Sequence, residues 1–181
     1  VINIMATYGP TNTNGKHFNF LCHVDVVPPG NLEDWATPPL EPTNKDGYLY
    51  GRGSEDMKGC TAASMVSVFK FIKENKDFNG TISFIITGDE EADSVNGVKK
   101  VVKWLKENNI RIDGSIATES SSEKVIGDQI KVGRKGAVDV QIEIIGKQGH
   151  AAYPQLAQNP LHCMSKLISF FDDQKLPQSV R

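Results

Sequence analysis

Apolar positions along this chain fall in short blocks whose period changes from block to block. Residues 17–22 (HFNFLC) are apolar-rich and of strand length. Residues 81–87 (TISFIIT) are nearly continuously apolar, as suits a strand covered on both faces. Residues 114–118 predict a short third strand. Between these runs, Met65, Val68, Phe69 and Ile72 recur at helical spacing and predict a helix over about 58–75. Val98, Val101, Val102 and Leu105 predict an amphipathic helix over 95–108. Residues 28–46, rich in Pro, Gly and Asn, read as a long loop, and residues 1–4 (VINI) as the middle of a strand. Strands alternating with helices predict an α/β domain built on a covered sheet. Residues 138–145 (VDVQIEII) alternate more strictly and predict a sheet with one exposed face. That change of period follows Gly133, Arg134, Lys135 and Gly136, so the domain boundary is expected between 135 and 136, with a further helix over 159–171.

Composition narrows the class without pointing to a partner. Hydrophobic residues make up 39% and charged residues 23% of the 181, a globular balance rather than a disordered one. Twenty Lys+Arg against 22 Asp+Glu leave a formal net charge of -2, which carries no signal for nucleic acid or an anionic membrane. No apolar run approaches the ~20 residues that span a bilayer. Cys22, Cys60 and Cys163 are odd in number and widely spaced, which excludes a disulfide framework and a CxxC zinc knuckle. They are expected to be reduced thiols, in keeping with a cytoplasmic protein.

The chemistry lies in where the acids and one histidine fall. The first predicted strand ends in His23-Val24-Asp25, the second runs into Asp89-Glu90-Glu91, and the third into Glu119. Asp56 lies just before the helix that starts near Lys58. Open α/β sheets bind ligands beyond the carboxyl ends of their strands, so three strands are expected to bring these side chains to one edge. Zinc takes imidazole nitrogen and carboxylate oxygen at about 2.0–2.2 Å, and two ions ~3.5–4 Å apart call for a shared ligand. The spacing of two puts His23 and Asp25 on one strand face, where Asp25 can orient the imidazole. Glu90 and Glu91 point to opposite sides if strand geometry persists, leaving one to bind metal and the other free as a base. Each motif alone has an ordinary reading as a surface or capping residue. Their joint placement at the ends of one sheet favours a metal site.

Read together, HVDVVPPG (23–30), DGYLYGRGSEDMKG (46–59) and GDEEA (88–92) resemble the two-zinc amidohydrolases that include acetylornithine deacetylase, aminoacylase and glutamate carboxypeptidase. GDQIKVGRKGA (127–137) and GHAAYP (149–154) look like the succinyl-diaminopimelate desuccinylase family. The resemblance implies a zinc-peptidase-like catalytic domain (1–135) with a mostly parallel central sheet and flanking helices, followed by the start of a smaller α+β dimerisation domain (136–181). It further implies that Asp56 bridges two Zn2+ ions, that His23 and Glu119 complete the first site, and that Glu91 ligates the second. Co2+ is a possible substitute. Glu90 would be the general base and Asp25 the outer partner of His23. His150 would stabilise an oxyanion across a homodimer, with Arg134 and Tyr153 at the substrate. A cis peptide between Asp56 and Met57 is also implied.

The implied reaction is hydrolysis of N-succinyl-LL-2,6-diaminopimelate to succinate and LL-2,6-diaminopimelate, in the cytoplasm. The alternatives are a related deacylase of the acetylornithine deacetylase kind and a non-catalytic binding fragment. The sequence departs from the pattern in several places. Thr118-Glu119-Ser120 stands where the family usually has Gly-Glu-Pro, Gly88 where Ser is commoner, and Lys135 and Ala137 where Arg and Ser are usual. The resemblance also places an N-terminal helix before Val1 and the second zinc's histidine beyond Arg181, so the 181-residue chain alone is expected to be poorly active.

Overall fold

The structure, a computed structural model, describes residues 1–10, 15–133, 136 and 140–174. The chain divides into two compact units, Val1–Lys131 and Val132–Arg181. In chain order the strands and α-helices among the described residues are β1 (Ile4–Tyr8), β2 (Lys16–His23), β3 (Thr43–Lys45), β4 (Tyr48–Tyr50), α1 (Cys60–Glu74), β5 (Gly80–Thr87), α2 (Val98–Glu107), β6 (Gly114–Ala117) and α3 (Pro160–Asp172).

In the first unit a four-stranded sheet has the order β1-β5-β2-β6. β2 runs parallel to both β5 and β6, and β1 closes one edge antiparallel to β5. The α/β expectation is met, with a mixed, mostly parallel sheet. β1 begins at Ile4 rather than running through residues 1–4, because the ladder with β5 starts where Ile4 pairs Ile86. The register sets His23 beside Thr87 and Leu21 beside Ala117, so the three parallel strands end close together at one edge.

Strand alternation sends β5 side chains to two cores. Phe84 packs with Cys22, Met57 and Val68, backed by Phe20, Met65 and Ile72, on the α1 side. Ile85 packs with Val101 and Leu105, backed by Met5 and Leu21, on the α2 side. A nearly continuous apolar β5 is therefore what two helical layers require. Phe20 and Phe84, cross-strand neighbours, stack with ring centroids 5.0 Å apart. Met65, Val68 and Ile72 face the core as expected, but Phe69 is turned away from it and is 68% exposed.

Polar groups buried in this sheet satisfy one another. His17 Nδ1 donates to the Arg111 carbonyl at 2.9 Å, and its Nε2 lies 2.8 Å from Ser83 Oγ. Ser83 hydrogen-bonds Asn19, and Asn19 donates to Ser115 Oγ, so one chain of side chains ties β5, β2 and β6 in register.

The stretch expected as a loop over 28–46 contains β3, which pairs β4 antiparallel. Asp46 and Gly47, with φ of 53° and 81°, form the two-residue connection. Positive φ at both positions is what a type I′ hairpin demands, and Asp-Gly supplies it. In the second unit, Pro160 opens α3 and the Asn159 side chain accepts the Leu161 N–H as its cap. Residues 140–145 form no strand, contrary to expectation, and 138–139 lie outside the described residues. Among the described residues of this unit, the β pairing is the single bridge between Lys147 and Gln158, which leaves residues 140–145 without a ladder to join.

Candidate metal centre

Three segments converge on His23, the last residue of β2, whose ring is fully buried. The turn Ser54–Gly59 carries Asp56, with a kinked backbone at Asp56 and Met57 and a cis peptide between them, as the resemblance implies. Met57 is 1% exposed and its sulfur accepts the His23 N–H at 3.2 Å, which anchors this turn under the histidine. The bend after β5 brings Glu90 and Glu91, and the segment after β6 brings Glu119.

His23 Nε2 lies 3.0 Å from Asp56 Oδ1 and 3.5 Å from Glu119 Oε1. One donor atom from each of His23, Asp56 and Glu119 falls within 4.8 Å of the others, and the same holds for His23, Glu90 and Glu91. Glu90 and Glu91 therefore do not diverge. Strand geometry ends at Thr87, and in the bend beyond it both carboxylates turn toward the histidine. Asp56 does not cap α1, whose first turn follows Gly59 with no side-chain cap. Asp89, the third acid of that run, turns inward and accepts the Val95 and Asn96 N–H groups, which hold its carboxyl below the usual range.

The charges explain what this cluster is suited to. His23 Nδ1 donates to the Asp25 carbonyl oxygen at 3.0 Å, so a neutral ring directs the lone pair of Nε2 at two carboxylate oxygens. That arrangement is repulsive unless a cation or a proton lies between them. Burial works to lower the His23 pKa, but the Asp25 carbonyl, the charge of Glu119, the contact with Asp56 and the charge of Glu90 leave it raised. Burial first, then the charges of Asp56 and Glu90, push the Glu91 carboxyl up against the opposing pull of His23. Among the described residues no lysine or arginine pairs Asp56, Glu90 or Glu91. One imidazole and the carboxylates of Asp56, Glu90, Glu91 and Glu119 form a hard, oxygen-rich donor set that fits a divalent cation such as zinc.

Cys60, beside the cluster at the start of α1, has its thiol pushed up by burial and by Glu119, Glu55 and Asp56, so it stays protonated. All three cysteines are free. Arg134 lies outside the described residues. His150 and Tyr153 belong to the second unit, where their rings lie 5.8 Å apart.

The sequence profile of peptidase family M20/M25/M40 matches residues 20–174. The chain belongs to this family. Among M20 relatives, a succinyl-diaminopimelate desuccinylase of Coxiella burnetii (strain RSA 493 / Nine Mile phase I) is 52% identical over 143 residues, 79% of this chain and 38% of that protein. The protein of that name from Pelagibacter ubique (strain HTCC1062) is 41% identical over 181 residues, all of this chain and 46% of the relative. That from Orientia tsutsugamushi (strain Ikeda) is 43% identical over 171 residues, 94% and 44%. The chain thus spans less than half the length of these curated relatives. An M20 family metallo-carboxypeptidase, Sso-CP2 from Sulfolobus solfataricus, shares the fold at a TM-score of 0.64 and 22% identity, covering 92% of this chain and 38% of that one. Human carnosine dipeptidase 1 superposes at a TM-score of 0.55 with 32% identity over 65% of this chain and 25% of its own.

Proposed function

We propose that this M20 chain carries the metal-binding core of an amide hydrolase that converts N-succinyl-LL-2,6-diaminopimelate and water to succinate and LL-2,6-diaminopimelate. The observation that carries this reading is the convergence of His23, Asp56 and Glu119, with Glu90 and Glu91 at the same histidine. The three relatives above, of that name, support the substrate.

His23, Asp56 and Glu119 would hold one zinc ion, and Asp56 with Glu91 would contribute to a second. Zinc bound there supplies a Lewis acid that polarises the amide carbonyl and makes water acidic enough to attack near neutral pH. Glu90, left out of the ligand set, takes the proton of the attacking water and returns it to the departing amine nitrogen. Asp25 steadies His23 and the Glu90 segment around it. His150, reaching the site of a second copy in a homodimer, would donate a hydrogen bond to the oxygen that gains charge. Arg134 would help hold a substrate carboxylate through its planar fork, and Tyr153 would lie near the substrate. A small N-succinyl amino acid, met in the cytoplasm, is the partner proposed for this chemistry.

The full-length protein should bind zinc by metal analysis and release succinate from the succinyl substrate far faster than acetate from N-acetylornithine. Preference for the acetyl substrate would move the protein to the deacetylase branch. Zinc binding with no hydrolysis of either would leave a binding role.

A further inference from the structure

The polar chain that crosses the sheet of the first unit has too few hydrogens for a neutral histidine. His17, Asn19 and Ser83 are buried, whereas Ser115 at the far end is exposed. His17 Nδ1 faces the Arg111 carbonyl at 2.9 Å, an acceptor only, so this nitrogen carries a hydrogen whether the ring is neutral or charged. Its Nε2 lies 2.8 Å from Ser83 Oγ. Ser83 Oγ donates to Asn19 Oδ1 at 2.9 Å, and Asn19 Nδ2 donates to Ser115 Oγ at 2.9 Å. A hydroxyl has one hydrogen to give. With that hydrogen on Asn19, Ser83 can only accept from His17, so this arrangement belongs to a ring with hydrogen on both nitrogens. A neutral ring presents a lone pair at Nε2 and needs Ser83 to donate. The chain is then complete only with the Asn19 amide turned over, Nδ2 donating to Ser83 Oγ and Oδ1 accepting from the Ser115 hydroxyl.

We propose that His17, Ser83, Asn19 and Ser115 form a reversible hydrogen-bond wire, in which gain or loss of the His17 Nε2 proton turns the Asn19 amide over and reverses every bond from Nε2 to Ser115. On protonation, Nε2 takes one proton from solvent and donates it to Ser83 Oγ. The Ser83 hydrogen swings from Nε2 to Asn19 Oδ1, and the Ser115 hydrogen turns to solvent. Neither state leaves a buried donor or acceptor unpaired, and in each the bonds run head to tail and polarise one another. The charged groups around the ring are few. Asp113 Oδ2 accepts the His17 backbone N–H at 2.9 Å, while its Oδ1 pairs Lys16 and Arg111. Strands β1, β5 and β6 carry no charged side chain, and the Tyr8 ring of β1 stacks on Phe78. On α2, Lys99, Lys100, Lys103, Lys106 and Glu107 are exposed, and Lys103 pairs Glu107. The wire joins β5, β2 and β6, the strands whose far ends lead to the metal centre. Staying bonded in both states, it keeps their register through a change of pH, and it depends on no part of the proposed reaction.

The test follows the full-length protein, labelled with nitrogen-15 in His and Asn, by NMR through a pH titration. The ring nitrogens report the His17 proton, and the Asn19 side-chain NH2 signals report which way the amide points. In the wild type both should shift together with one shared midpoint. Ser83→Ala cuts the wire next to the ring, so His17 should still titrate while the Asn19 signals no longer follow it. Asn19→Asp offers Ser83 only acceptor oxygens, so His17 should keep its Nε2 proton to a midpoint at least about one pH unit higher than in the wild type. Asn19 signals that stay fixed while wild-type His17 titrates would overturn the proposal. So would a His17 that keeps one protonation state over the whole range in which the protein stays folded. Asn19 signals that still follow His17 in Ser83→Ala, or a midpoint in Asn19→Asp no higher than in the wild type, would overturn it as well. If either variant does not fold, the wild-type titration decides alone.

Discussion

His23 is asked to serve two sides at once, and its ring nitrogens divide the task. Nδ1–H is committed to the Asp25 carbonyl, which leaves Nε2 to face Asp56 and Glu119. A metal ligand needs this tautomer, and the backbone acceptor favours it whenever the ring is neutral. Glu90 is the proposed base of this cluster and has no place in the proposed ligand set. Glu90→Gln should therefore retain zinc while turnover falls by about 10²–10⁴-fold, since the amide keeps the shape but cannot accept the water's proton. Activity within a few-fold of wild type, measured at full zinc occupancy, would remove Glu90 from that role. The residue types of this site are legible in the sequence because metal chemistry restricts them to His, Asp and Glu at strand ends. The convergence of Glu90 with Glu91 is not legible, because it depends on the chain leaving strand geometry at Thr87. The supporting part of Met57 is equally hidden, since a methionine beside an acid has no sequence signature for accepting a buried N–H.

The elements that aim these residues are held from both faces and from both ends. Phe84 fills the core between β2 and α1, stacked on Phe20. Phe84→Ala should cost about 3–5 kcal/mol in denaturant unfolding, the range for emptying a buried aromatic site. A loss below about 1 kcal/mol would mean that this core carries little of the fold. At the other end of the sheet, Asp113 accepts the His17 N–H at 2.9 Å and pairs Lys16 and Arg111, tying the start of β2 to the approach of β6. The His17 N–H is the main cause of its lowered pKa, helped by the contact with Lys16 and the charge of Arg111 and opposed by desolvation. A carboxylate whose folded pKa lies below its unfolded value stabilises the fold above about pH 4 and loses that contribution as pH falls through the folded value. Asp113→Asn should thus lower stability near neutrality and flatten its decline below pH 4. Equal slopes for variant and wild type would show that the tie is not felt. The three parallel strands and two covering helices are legible because apolar periodicity marks them. The β3–β4 hairpin announced itself only through Asp46-Gly47, whose two positive-φ positions are a turn signal outside any apolar pattern. Residues 140–145 carry strand-like alternation yet form none, because alternation specifies a face and pairing needs a neighbour.

At the scale of the molecule, the four proposed zinc ligands, His23, Asp56, Glu91 and Glu119, and the proposed base Glu90 all belong to the unit Val1–Lys131. They come from four segments that the chain visits in turn, so a bound ion would cross-link the sheet edge that the strand ladders leave open. Without a cation, Asp56, Glu90 and Glu91 face one another with no lysine or arginine between them among the described residues, and burial has already pushed the Glu91 carboxyl up. Zinc should therefore stabilise the fold beyond its local contacts, by about 2.7 kcal/mol at a hundredfold excess over Kd. The two proposed sites are unequal. His23, Asp56 and Glu119 give the first ion three donors within mutual reach, whereas Asp56 and Glu91 give a second ion two from this chain. Protein zinc sites ordinarily need at least three protein ligands, so the first equivalent should bind more tightly and bring most of the thermal stabilisation. Stepwise zinc addition to chelator-treated chain, read by thermal unfolding, separates the cases. A large rise at the first equivalent followed by a small one at the second is expected. Two equal rises would mean that this chain supplies the second ion with a further ligand, and the assignment of Glu90 as a free base would be the first to be revised, since its carboxylate falls within reach of His23 and Glu91.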